Sequence, residues 1–188
     1  MHSKIDNIDP KILSGCIKKK LKYQEMLYRK FYAYGMSITL RYTKNREDAL
    51  EVLNDSFLKV FENITRFDTK KSFKAWFRQI TVNTSIDNIR KNKRTVITEN
   101  IDDLRSENFY KKEIDDLETE DLLNILHSLP EHYALIFNLY EIEGYKHYEI
   151  AEMLNINEST SRANLSRAKK MLRNYIINSE KNNYVEAV

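Results

Sequence analysis

The chain is predicted to be all-α: two small helical domains joined by a flexible acidic linker, the second containing a helix-turn-helix. Three observations predict this. Only three Gly and two Pro are available to make turns, while apolar residues recur at helical spacing along most of the 188 residues. Charge is blocked: residues 66–94 hold nine Lys or Arg against two Asp, residues 99–121 ten acidic groups against three basic, and residues 158–173 five basic groups against one Glu. Finally, Gly144 to Lys170 reads as a short helix, a tight turn and a longer basic helix. Two cationic blocks around an anionic one suggest two nucleic-acid surfaces separated by a segment that repels DNA. The boundaries read as 10–94, linker 95–117, 118–177 and a tail 178–188.

Residues 1 to about 10 look frayed, and Asp9-Pro10 is a start signal for a first helix. Leu13, Ile17 and Leu21 give its stripe. Lys18-Lys19-Lys20 could touch a phosphate backbone, although a solvated face is the simpler reading. From Tyr23 to Tyr42, Met26, Leu27, Phe31, Tyr34, Ile38 and Leu40 form a longer apolar helix. Asn45 caps the next one, to about Ile64, which buries Leu50, Leu53, Phe57 and Phe61 with Val60 and Ile64 beside them. Asp48, Glu51, Asn54, Asp55 and Glu62 are left outside, an acidic surface that would face a basic protein better than DNA.

A polar loop, Thr65 to Ser72, leads into a segment where Phe73, Trp76, Phe77, Ile80 and Thr84 keep helical spacing. Arg78, Asn83, Arg90, Lys91, Lys93 and Arg94 project among or after them. Aromatic and basic residues so interleaved suit single-stranded nucleic acid, cations following the backbone and pockets holding unstacked bases. For Trp76 itself a place in the core is the simpler reading. Leu122, Leu123, Ile125, Leu126 and Leu129 make an apolar helix that Pro130 stops; Tyr133, Ile136, Phe137 and Tyr140 make another, ending near Gly144.

In the stretch that follows, Ile150, Ala151 and Leu154 share one helical face. Asn155-Ile156-Asn157 forms the turn, since Asn tolerates left-handed backbone and Asn157 can cap the next helix. Leu165, Ala168 and Leu172 form that helix's buried side, leaving Ser159, Ser161, Arg162, Asn164, Ser166 and Lys169 to spread over the rest. A helix-turn-helix presents its recognition helix to the major groove in this way. The alternative is an ordinary helical hairpin with a solvated basic face.

Other chemistries find little support. The single cysteine, Cys16, excludes an internal disulfide and a multi-cysteine zinc site. His2, His127, His132 and His147 form no metal-spaced pair with a carboxylate, and Gly-rich phosphate loops are missing, so no cofactor, metal or catalytic role is expected. With no signal-sequence pattern and no apolar run near the ~18 residues that span a bilayer, a cytoplasmic protein without direct membrane insertion is expected.

Taken in order, these segments resemble the sigma-70 family of RNA polymerase sigma factors, in its small extracytoplasmic-function group. The likeness covers about residues 20–94 and 118–175. Asp48 to Phe57 is similar to the family's core-polymerase-binding segment, with Asn54 and Asp55 where Gln and Glu are usual. Trp76, Ile80, Asn83, Asp87 and Arg90 match the promoter-melting segment; Phe77 and Thr81 depart mildly. Glu149-Ile150-Ala151, Leu154, Thr160, Leu165, Arg167-Ala168 and Leu172 match the −35-reading helix-turn-helix. There Asn164 replaces a commonly basic residue, and Lys146 a commonly capping Ser.

The resemblance implies a transcription initiation factor, a binder rather than an enzyme. It implies docking on RNA polymerase core through Asp48, Glu51, Asn54 and Asp55. At −10 it implies capture of an extruded non-template base by the loop Phe67, Asp68, Thr69, Lys70 and Lys71. Arg78 and Asn83 would lie beside that strand, and Arg90, Lys91, Lys93 and Arg94 would grip the duplex upstream. At −35, Arg162 and Asn164 would meet base edges, while Ser159, Ser161, Arg167 and Lys169 would hold phosphates. An anti-sigma factor is implied as a further partner. A stand-alone helix-turn-helix regulator is the competing reading, which would bind its operator as a dimer without polymerase.

Overall fold

The computed structural model describes residues 8–96 and 123–185, with side chains for 8–92 and 123–177. Among these residues every regular element is helical. The chain divides into two compact units, Met1–Phe109 and Tyr110–Val188. Residues 97–117 of the expected linker lie outside the described residues, as do residues 1–7, Leu122 and the side chains of Lys93 and Arg94.

Helix α1 (Pro10–Ile17) starts as its sequence predicts: the Asp9 carboxylate accepts the Lys11 amide at 2.7 Å, and Pro10 supplies a fixed φ where no intrahelical donor is needed. The stripe expected to continue through Leu21 is broken. Lys19 turns left-handed, φ 53°, and the amides of Lys19 and Lys20 bond back to the carbonyls of Cys16 and Gly15 at 2.9 and 3.0 Å. Leu21 therefore opens α2 (Leu21–Thr39) and is 79% exposed instead of buried. Gly15 is required here, because a Cβ would lie 2.1 Å from the Tyr23 ring.

α2, α3 (Arg46–Asn63) and α4 (Phe73–Val96) enclose the first core. Its centre is a ring cluster: Phe57 lies 4.9 Å from Phe77, and Phe31 lies 4.9 Å from Phe73, between centroids. Asn45 caps α3, its side-chain oxygen accepting the Asp48 amide at 2.7 Å and its NH2 donating to the Asp48 carboxylate at 3.0 Å. The buried stripe of α3 is Ala49, Val52, Leu53, Ser56, Phe57 and Val60. Leu50, expected inside, sits at its edge and is exposed, and Phe61 is half-buried. A short 3-10 turn, Ile64–Arg66, leads to the loop before α4. Thr81 and Ser85 are polar yet fully enclosed on α4, their hydroxyls donating to the carbonyls of Phe77 and Thr81, each at 2.9 Å.

The second unit begins, among the described residues, with a helical stretch 123–127 (α5). Pro130 precedes α6 (Glu131–Phe137), which widens into a π-helical turn over Asn138–Ile142. Gly144, φ 81°, turns the chain into α7 (His147–Leu154), and α8 (Glu158–Val185) follows. Leu129, Ala168 and Leu172 meet in the core with Tyr133 and Phe137 packed against them, while Ile136, Leu139 and Ile150 are fully buried. α8 continues through Val185, past residue 177 where a tail was expected; no Gly or Pro after Glu158 interrupts it.

Candidate nucleic-acid interface

The helix-turn-helix is closed by local chemistry. At the start of α7 the Lys146 amide donates to the Glu149 carboxylate at 2.7 Å, which compensates for a cap residue whose own side chain makes no capping bond. Asn155 ends α7 in left-handed backbone, φ 52° and ψ 51°, and the Ile156 amide returns to the Ala151 carbonyl at 3.0 Å. Across the turn, His147 Nδ1 lies 3.0 Å from Ser161 Oγ, and the His147 ring stacks on Tyr140 at 4.4 Å. Ser161 is fully buried in this joint. It is therefore removed from the expected phosphate contacts: its hydroxyl serves the interior.

Geometry also redistributes the rest of α8. Ser161, Leu165, Ala168 and Leu172 form the buried stripe. At about 100° per residue, the opposite side carries Ser159, Ala163, Ser166 and Lys170, with Arg167 beside them, all exposed. Arg162 and Asn164 flank that side and point about 160° apart, so one groove cannot receive both at its base edges. Asn164 is half-buried, and Arg162 pairs with Glu158 on its own helix. Lys169 pairs with Glu141 of the π turn at 2.7 Å. Ala163 and Lys170 were missed in the sequence; turning the helical wheel against the Leu165–Leu172 stripe would have found them.

In the first unit, α3 turns Leu50, Glu51, Asn54, Asp55 and Leu58 outward, the last 60% exposed. Asp48 is half-buried and occupied by the cap, and Asn54 accepts a hydrogen bond from the Tyr28 hydroxyl at 3.0 Å. The loop before α4 is preformed: the Asp68 carboxylate accepts the Lys70 amide at 3.0 Å, and its carbonyl accepts the Lys71 amide at 2.9 Å. Thr69, Lys70 and Lys71 project from it. Phe67 does not. It is buried edge-on against Phe73, 5.3 Å between centroids, and 5.2 Å from half-buried Trp76, so it anchors the loop from below.

Along α4, Gln79, Asn83, Asp87, Arg90 and Lys91 share the exposed face. Asp87 reaches Lys59 of α3 at 3.1 Å and Arg90 at 3.8 Å. Arg78 is separated from Asn83 by about 140° of helix and lies half-buried on the packed side, so it leaves the expected strand-facing set.

Family comparison matches residues 27–95 to sigma-70 region 2 and residues 119–172 to sigma-70 region 4. The RNA polymerase sigma factor SigV of Bacillus subtilis is 34% identical over 143 residues, covering 76% of this chain and 82% of that protein. The chain belongs to the sigma-70 family, in its extracytoplasmic-function group. It is a promoter-specific transcription initiation factor that works with RNA polymerase. The ECF sigma-E factor of Haemophilus influenzae is 28% identical over 144 residues, covering 70% of this chain and 76% of that one. The sigma factor RpoE of Bartonella quintana, solved with the anti-sigma factor NepR, shares the fold at TM-score 0.56 and 17% identity, over 81% of this sigma factor and 95% of that chain.

Within region 4 of this sigma factor, the His147 joint has a pH consequence. Burial holds its pKa below the ordinary 6.5, helped by Arg162 and Lys169 and opposed by Glu158. The unfolded chain thus takes up the proton first on acidification. His147 contributes stability that is complete above 6.5 and declines as pH falls through the lower folded value. The melting midpoint of this unit is expected to drop as pH falls from 6.5 towards the lower folded value and to lose nothing further on His147's account below it, and His147→Gln should remove that part of the slope. An identical pH slope in wild type and variant, followed by hydrogen exchange of the α7 and α8 amides, would refute this. Among the described residues no helix is long and apolar enough to cross a membrane, and no cluster of His, Cys, Asp and Glu could hold a metal ion.

Proposed function

We propose that this sigma factor docks on RNA polymerase core through the outward face of α3. Glu51, Asn54 and Asp55 lie between Leu50 and Leu58, with Asp48 at the margin: an acidic and apolar surface suited to a basic helix of the enzyme. The preformed loop Asp68–Lys71, anchored by Phe67, receives one non-template base at −10. Extrusion of that base costs a few kcal/mol, which strand and polymerase contacts offset. Asn83 lies beside the strand; Arg90, Lys91, Lys93 and Arg94 follow the upstream duplex. Residues 95–117 tether a second module whose α8 enters the −35 major groove.

The observation supporting this most strongly is the make-up of α8. Opposite a wholly buried stripe stands a row of short side chains, Ser159, Ala163 and Ser166, bordered by Arg167 and Lys170. Short residues let the helix approach base edges, Ala can meet a thymine methyl, and Arg167 can pair bidentately with guanine. Arg162 and Lys169 on the flank suit phosphates. Arg167→Ala is expected to cost about 1–3 kcal/mol and relax preference at one −35 position, whereas Lys170→Ala should lower the salt slope by about 1 with little regard to sequence. If Arg167→Ala left promoter choice untouched, this docking register would be wrong.

On this reading the chain is a cytoplasmic binding factor that catalyses nothing itself, and an anti-sigma factor is its natural inhibitor, as NepR is found with RpoE. Run-off transcription with reconstituted polymerase on a promoter library tests it. RNA should start at a defined subset of templates, and initiation at none would overturn the proposal.

A further inference from the structure

The turn between α1 and α2 carries Lys18, Lys19, Lys20 and Lys22, all exposed, none of them used in the reading above. It is a built turn: Lys19 holds left-handed backbone, three amides bond back into α1 within 3.2 Å, and Gly15 lets α1 close on Tyr23. Its position follows from the packing. α2 and α3 are neighbours joined by a short connection and run antiparallel, Tyr28 meeting Asn54 and Phe57. About two turns further towards the start of α2, Leu21 therefore lies level with the end of α3. The 3-10 turn Ile64–Arg66 begins there, and α1 packs against it.

One end of region 2 thus gathers the four lysines with Arg66, Lys70 and Lys71, every one exposed. Against them stand Glu62, Asp68 and, three residues after Lys22, Glu25; one Asp68 carboxylate oxygen is already taken by the Lys70 amide, and Glu25 pairs with Arg29 at 2.6 Å. The cations of α4 that face DNA, Arg90 and Lys91, are about 25 Å further along that helix from the loop. A strand held at the loop would have these seven positive groups at the same end of region 2.

We propose that the Lys18–Lys20 turn is a further nucleic-acid contact, which takes backbone phosphates of the single strand next to the base captured by the Asp68–Lys71 loop. The inference rests on that reading of the loop. Lysine suits the task, since ammonium groups on long stems follow a phosphate chain without demanding a sequence.

The test uses holoenzyme reconstituted from the full chain and polymerase core. Its probe is a labelled single strand carrying a −10 sequence selected by that holoenzyme, in a trimmed form and in one extended by several nucleotides beyond the −10 sequence. Lys18→Ala/Lys19→Ala/Lys20→Ala is expected to weaken binding of the extended strand about tenfold or more at ~0.1 M salt and to lower the salt slope by about 2, leaving core affinity and −35 duplex binding unchanged. Lys70→Ala/Lys71→Ala should weaken both strand forms. An unchanged slope in the triple variant, with the loop variant impaired, overturns the turn contact alone. A loop variant that binds both strands normally overturns the loop reading instead. If the triple variant loses only affinity for anionic vesicles or for polymerase core, the turn serves another partner and the proposal is wrong.

Discussion

Replacing Phe77 by alanine is expected to destabilise region 2 by about 3–5 kcal/mol, a large part of what a domain this size holds in reserve. The side chain is fully buried. Its ring is within 5.8 Å of Phe31, 4.9 Å of Phe57 and 6.4 Å of Phe73, so truncation opens a cavity at the point where α2, α3 and α4 meet. The neighbouring rings are held by one another and can close it only in part. Trp76, the one tryptophan in the chain, lies in this unit, so its fluorescence in a urea titration reports region 2 without region 4. A shift of the midpoint equivalent to less than about 1 kcal/mol would show that the ring cluster is not the core. Phe77→Leu should cost less, because the smaller side chain still fills most of the space.

The opposite profile is expected for Leu58→Glu. Leu58 is 60% exposed, at the centre of the outward face of α3. The change should alter stability by no more than about 0.5 kcal/mol. Binding to polymerase core should nevertheless fall by about 30-fold or more, as when an apolar anchor of an interface is replaced by a charge that would be desolvated there. Competition against wild-type factor for a limiting amount of core measures it directly. Equal competition by the variant would remove α3 from the docking surface and leave its acidic groups merely solvated.

The two predictions divide along a line that the residue order only half reveals. Helical spacing, the scarcity of Gly and Pro, the Asp9-Pro10 and Asn45 caps and the Asn155 turn were all legible, because each depends on neighbours a few residues away. So was the ordered pair of family segments, and with it the function. Leu50, Leu58 and Phe67 were misplaced or passed over because apolar character does not say which side of a helix is covered. For Leu50 and Leu58 the answer lies in how α3 is rotated against α2 and α4; for Phe67 it lies in a pocket made by Phe73 and Trp76.

Composition and local pattern, then, were enough to determine an all-helical chain with two cationic modules, and the resemblance of its ordered segments to a known family added the sigma factor. Tertiary packing alone decided which side chains those modules present. Ser161 became part of a joint with His147, Arg78 was turned towards packed surface, and Arg162 and Asn164 were parted. Lys170 and Ala163 were left exposed opposite the buried stripe of α8, and Lys18–Lys20 exposed on the turn between α1 and α2. The physical reason is that spacing along a helix fixes only relative angles, whereas the absolute direction of each residue is set by the contacts that bury the opposite stripe.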